Sequence, residues 1–132
     1  MSRSVILCID DEDLGLEIRK MVLEREGFTV LTAHDGQSGI TTFETERIDA
    51  VIVDYAMPGM DGGVVAASLR QINPHIPILM LSAYVALPEE VMRVISASAT
   101  KGDGALALVD KLKELLQDRA PDELKGEPGV AL

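Results

Sequence analysis

Three segments, VILCI (5–9), AVIV (50–53) and ILML (78–81), are apolar at every position instead of at every second one. An alternating strand can leave one face in water, but a strand apolar on both sides must be covered on both. Such strands belong inside a parallel sheet, and parallel neighbours must be joined by crossovers long enough to hold a helix. The stretches between them have that length and carry helix signals. DLGLEIRKMVLEREG (13–27) is read as a helix with Leu14, Ile18, Met21 and Val22 turned inward, stopped at Gly27. On that reading Leu16 falls off the inward face and is exposed. FTVLTA is a second strand, and DGQSGITTFETER a short helix with Ile40 and Phe43 inward.

YAMPGMDG, with Pro58, Gly59 and Gly62, marks a loop before a helix over GVVAASLRQI. PEEVMRVI is a helix with Pro88 in its first turn, and SASAT a weak fifth strand ahead of Lys101. DGALALVDKLKELLQD closes the pattern as an amphipathic helix, with Leu108, Leu112 and Leu115 or Leu116 toward the core. Strand and helix alternate five times. Right-handed crossovers then place helices on both faces of the sheet, giving a doubly wound α/β domain. The domain is expected over residues 1–118. The remaining RAPDELKGEPGVAL, rich in Pro, Gly and charge, is expected to be a flexible tail at 119–132.

Composition narrows the function. A chain of 132 residues suits one domain, and 47% apolar residues with 3% aromatics suit an aliphatic core. A net charge of −10 opposes a nucleic-acid-binding surface. Cys8 stands alone in an apolar strand, so no internal disulfide forms, and its expected role is packing. No targeting segment or membrane span is evident, since IPILMLSAYVAL is short of the ~20 residues a bilayer requires, and a cytoplasmic location is expected.

The chemistry collects where these strands end. VILCI runs directly into Asp10, Asp11, Glu12 and Asp13. Two unit charges 4 Å apart repel by roughly 4 kcal/mol at an effective dielectric near 20, so such crowding calls for a cation. Ligands of open parallel sheets lie outside the carboxyl ends of the strands. Those ends carry Asp10 and Asp11, Asp54, Ser82 and Lys101. Carboxylates suit a hard ion such as Mg²⁺, while an ammonium and a hydroxyl suit phosphoryl oxygens. A carboxylate can also act as the nucleophile and form an aspartyl phosphate. Taken singly, each residue has a plainer role: Glu12 or Asp13 as a helix cap, Ser82 bonded to backbone, Lys101 solvated. His34 and His75 are read as solvated.

With these residues in place, the sequence resembles a response-regulator receiver domain of two-component signalling. IDDED is similar to that family's acidic pair, DAVIVDYAMPGMDG to its acceptor segment, and ILMLSAY to its Ser/Thr strand. The resemblance covers residue 5 to about residue 118. It implies a flavodoxin-like (βα)5 fold with strand order 2-1-3-4-5, in which Asp54 takes a phosphoryl group from a sensor histidine kinase or histidine phosphotransfer protein and switches binding to a downstream protein. It implies that Asp11, Asp54 and the backbone carbonyl of Ala56 ligate Mg²⁺ with help from Asp10, and that Ser82 and Lys101 hold the phosphoryl oxygens. It also makes the first helix the docking element, with Leu16 a candidate contact. The family's usual Lys-Pro is Lys101-Gly102 here, and its usual switch aromatic is Ser98, with Tyr84 a candidate substitute. The segment from Ser82 to Lys101 is short, so a reduced fourth helix is expected. Ala56 offers no polar group to orient water, which implies slow loss of the phosphoryl group.

Two other readings compete. Asp11-Glu12-Asp13 fits the DxD motif of haloacid-dehalogenase-type Mg²⁺ phosphatases, although no acidic strand end follows Lys101. The altered lysine region also suits a receiver-like module working without phosphorylation. A stand-alone regulator is expected over a fragment of a longer protein.

Overall fold

The computed structural model describes residues 3–83 and 86–117. Five strands, β1 (Val5–Ile9), β2 (Thr29–Ala33), β3 (Ala50–Asp54), β4 (Ile78–Ser82) and β5 (Ala97–Thr100), form one parallel sheet in the order β2-β1-β3-β4-β5. Between and after them run α1 (Asp13–Arg25), α2 (Gly36–Thr45), α3 (Gly62–Ile72), α4 (Glu89–Met92) and α5 (Ala105–Gln117). The expected α/β architecture and strand order are the observed ones. The tail expected at 119–132 and the substitute aromatic Tyr84 lie outside the described residues.

The period-2 geometry of the strands sorts the core into two layers. Ile6, Cys8, Ile52, Leu79 and Leu81 face α1 and α5, where Leu16, Leu23, Leu108 and Leu112 meet them. Leu7, Ile9, Val51, Val53, Ile78 and Met80 face the opposite way, toward Phe43, Val65, Leu69 and Val91 of α2, α3 and α4. This is why the central strands carry no polar alternation. Cys8 is wholly buried, and burial pushes its thiol up to about 12, so it packs as an apolar residue.

The inward face of α1 differs from the expected one. Leu16 is buried at 2% exposure, whereas Leu14, Ile18 and Met21 stand 69%, 44% and 55% exposed, and Val22 is only partly buried. The buried stripe runs Leu16, Arg19, Leu23, at helical spacing i, i+3, i+7. Arg19 interrupts its apolar pattern, so the sequence favours the wrong stripe.

Elsewhere the helices match their signals. Asp35 and Asp61 cap α2 and α3, accepting from the N–H groups of Ser38 (2.7 Å) and Val64 (3.0 Å). The fourth helix is a single turn, as its short segment implied. Arg70 ties the chain between α4 and β5 to the turn before β4, its guanidinium donating to the carbonyl of Val94 (3.0 Å) in the first and to those of Pro74 (3.1 Å) and Ile76 (2.6 Å) in the second. Helix α5 begins two residues later than expected, because Lys101–Asp103 forms a 3-10 turn that ends at Gly104 with φ +87. The Lys101–Gly102 peptide is trans.

A candidate phosphoacceptor site at the strand ends

Register places the functional side chains. Ile9 pairs with Val53, so Asp10 and Asp54, one residue further along each strand, emerge side by side. Asp54 in turn pairs with Leu81, and Ser82 pairs with Thr100, which precedes Lys101. Each residue expected at a strand end therefore reaches the same edge of the sheet. Carboxylate oxygens of Asp10, Asp11 and Asp54 lie within 4.8 Å of one another. Asp10 and Asp54 are buried at 1% and 2% exposure, while Asp11 is exposed. Ser82, also buried, sits one residue beyond the level of Asp54.

The Lys101 ammonium lies 3.1 Å from Asp54 Oδ1. That oxygen is buried and has no hydrogen-bond partner, so the ammonium lies close enough to attract it but off the direction of a hydrogen bond. Burial pushes the Asp54 carboxyl above the ordinary carboxylate range. The Lys101 ammonium works against this shift, and the Asp10 carboxylate adds to it. A buried, unbonded carboxylate oxygen within a triad of carboxylates is the donor chemistry a hard divalent ion takes, and the site fits Mg²⁺.

The acceptor loop is held by close backbone approach. The Gly62 N–H donates to the Tyr55 carbonyl (2.8 Å). A Cβ on Gly62 would sit 2.8 Å from Tyr55 Cα and would also run into the Asp54 carbonyl oxygen. Only glycine lets α3 start against the end of β3. Ala56 is exposed in this loop.

One charged group went unread in the sequence. The Arg19 guanidinium donates to Asp10 Oδ2, while the Glu12 N–H donates to Asp10 Oδ1 (2.9 Å). No residue near Arg19 announces this pairing: even at Gly15, one turn earlier, a Cβ would meet the guanidinium only in ordinary contact at 3.4 Å. Of the two acids considered as helix caps, Glu12 holds the N-cap position of α1 without a side-chain hydrogen bond, and Asp13 lies in the first turn. His34, expected to be merely solvated, pairs with Asp13 at 2.7 Å on the surface. Asp13 is therefore engaged away from the triad, which leaves the DxD reading without its second acid.

Comparison with known proteins agrees with this geometry. Residues 6–114 match the family described as the response regulator receiver domain. The probable transcriptional regulatory protein TcrX of Mycobacterium tuberculosis is 33% identical over 115 residues, covering 85% of this chain and 49% of that protein. The transcriptional regulatory protein GlrR of Escherichia coli K12 is 29% identical over 119 residues, covering 88% of this chain and 27% of that protein. The chain thus spans half or less of these relatives' length. Among solved structures, the response regulator TrrA of Thermotoga maritima, crystallised with Mg²⁺-BeF, superposes with a TM-score of 0.80 at 30% identity, covering 85% of this chain and 98% of that one. A CheY-like receiver domain from Methanospirillum hungatei JF-1 gives 0.83 at 26% identity, covering 89% and 97%.

Proposed function

The chain belongs to the response regulator receiver domain family, and from that premise we propose that Asp54 is its phosphoacceptor, supplied by a phosphohistidine on a sensor kinase or phosphotransfer protein. One observation carries the assignment: of the two buried members of the acidic triad, Asp54 is the one with Lys101 3.1 Å from its unbonded oxygen. Asp11, Asp54 and the Ala56 carbonyl, assisted by Asp10, are the groups that would hold Mg²⁺. The ion would neutralise the carboxylates and draw in a phosphoryl oxygen. A carboxylate oxygen of Asp54 attacks phosphorus in line, the bond from phosphorus to the partner's imidazole nitrogen breaks, and that nitrogen is left to take a proton. Lys101, released from Asp54, pairs with one phosphoryl oxygen, and the Ser82 hydroxyl donates to another.

The observed helix also sets the docking surface. Leu16 is buried and drops out as a contact. Leu14, Ile18 and Met21 form an exposed apolar patch on α1 beside the acidic edge, and we assign partner docking to these three. The receiver unit is taken as residues 1–118, with 119–132 as a tail. Among the described residues no helix is long and apolar enough to cross a membrane; a cytoplasmic location is proposed from the family membership.

Incubation with acetyl phosphate and Mg²⁺, read by intact mass, tests the site. The expected result is a gain of one phosphoryl group, lost in Asp54→Asn and when EDTA replaces Mg²⁺. An unchanged mass, or equal labelling of Asp54→Asn, overturns the assignment. An unchanged mass in a protein that still binds a partner through α1 would instead support a module working without phosphorylation.

A further inference from the structure

Both carboxylate oxygens of Asp10 are already engaged by the protein, one by the Glu12 N–H and the other by the Arg19 guanidinium. The pair is sheltered, with side-chain exposures of 12% for Arg19 and 1% for Asp10, so water screens it weakly. A guanidinium keeps its charge at any physiological pH, and its planar fork is fixed in direction. The carboxylate triad therefore faces two built-in cations, Arg19 and Lys101, and Arg19 removes one unit of the negative charge that would attract a divalent ion.

We propose that Arg19 is a built-in counter-cation that acts through Asp10 to weaken Mg²⁺ binding, holding the carboxylates together without metal and yielding Asp10 when metal enters. Arg19 is a positioning residue in this account, since it is placed on Asp10 and on none of the phosphoryl-binding groups. The structure offers it somewhere to go. A cavity of about 160 Å³ lies beside the guanidinium, lined by Glu12, Gly15, Arg19, Leu81, Thr100 and Lys101. Glu12 lines the same cavity, and its carboxylate is an alternative partner for the guanidinium. The receiver would then respond to Mg²⁺ at a higher concentration than a site lacking this arginine.

This inference rests on the metal site proposed above, and calorimetric titration with Mg²⁺ alone separates the two. Arg19→Gln, which keeps a donor toward Asp10 without charge, and Arg19→Met should each tighten Mg²⁺ binding by about tenfold or more. Arg19→Lys, which keeps the charge, should stay within about threefold of the parent. Thermal unfolding in EDTA should show both neutral variants less stable than the parent, with the deficit shrinking as Mg²⁺ is added, because ligand binding stabilises the state it prefers. An affinity in Arg19→Gln that is unchanged or weaker overturns the inference, even where the parent binds Mg²⁺ normally. Should Arg19→Met fail to fold, Arg19→Gln and Arg19→Lys still decide it. Absence of Mg²⁺ binding in the parent and in every variant would overturn the metal site itself, and the role of Arg19 with it.

Discussion

Which face of α1 meets the sheet can be decided by truncating two leucines two positions apart. Leu16 is 2% exposed and packs in the layer of Ile6, Cys8, Ile52 and Leu81, while Leu14 is 69% exposed. Leu16→Ala deletes three carbons from the core, about 2.4 kcal/mol at ~0.8 kcal/mol for each buried methylene equivalent. The remaining void adds to this, because a packed layer relaxes only partly, and ~3 to 4 kcal/mol is the expected total. For a domain of this size, unfolding entropy near ~2.1 cal/mol/K per residue turns ~3 kcal/mol into a drop in melting temperature of about 12 °C. Leu14→Ala should change stability by less than ~0.5 kcal/mol. The chain has no Trp, so urea unfolding is best followed by far-ultraviolet circular dichroism. With a slope of ~1 to 3 kcal/mol/M, the Leu16→Ala midpoint should fall by at least ~1 M with the slope unchanged. A loss below ~1 kcal/mol for Leu16→Ala, or an equal loss for Leu14→Ala, would refute the assigned face and with it the exposed patch proposed for docking.

Gly62→Ala should cost ~1 to 3 kcal/mol and slow labelling by acetyl phosphate, since its Cβ presses on the backbone of Asp54 and Tyr55; a fully active, equally stable variant would contradict this close approach. Cys8, its thiol pushed up to about 12 by burial, should resist iodoacetamide in the native protein and react promptly in urea; rapid native alkylation would contradict its burial. The Ser38 N–H holds the Asp35 carboxyl below its usual range. A lowered folded value contributes stability that is complete above the unfolded value and is lost as pH falls through the folded one. Asp35→Asn keeps the cap without titrating, so its urea midpoint should fall less steeply below about pH 4, and an identical acid limb would contradict this. Ala56→Asn supplies a group able to orient water, and one such hydrogen bond, worth ~1 kcal/mol, should shorten the lifetime of phospho-Asp54 about fivefold; an unchanged lifetime would dismiss this role for the position.

Much of the molecule could be read from its residues. Runs apolar at every position required a sheet covered on both sides, and the alternation of strand and helix required parallel order. In such a sheet the residue after each strand is placed by topology, so Asp10, Asp54, Ser82 and Lys101 could be assigned to one edge before any distance was known. Helix α1 marks where this reading stopped. Its two possible stripes both carry large apolar residues, and the one that is buried contains an arginine, which periodicity counts as a surface residue. Its burial depends on a carboxylate nine positions earlier on another element, and no local pattern records that pairing. The same holds for the unbonded oxygen of Asp54, the clamp made by Arg70, and His34 against Asp13. Apolar burial is periodic and therefore visible along the chain; the partner of a buried charge is a matter of position in space, settled when the strands and helices pack.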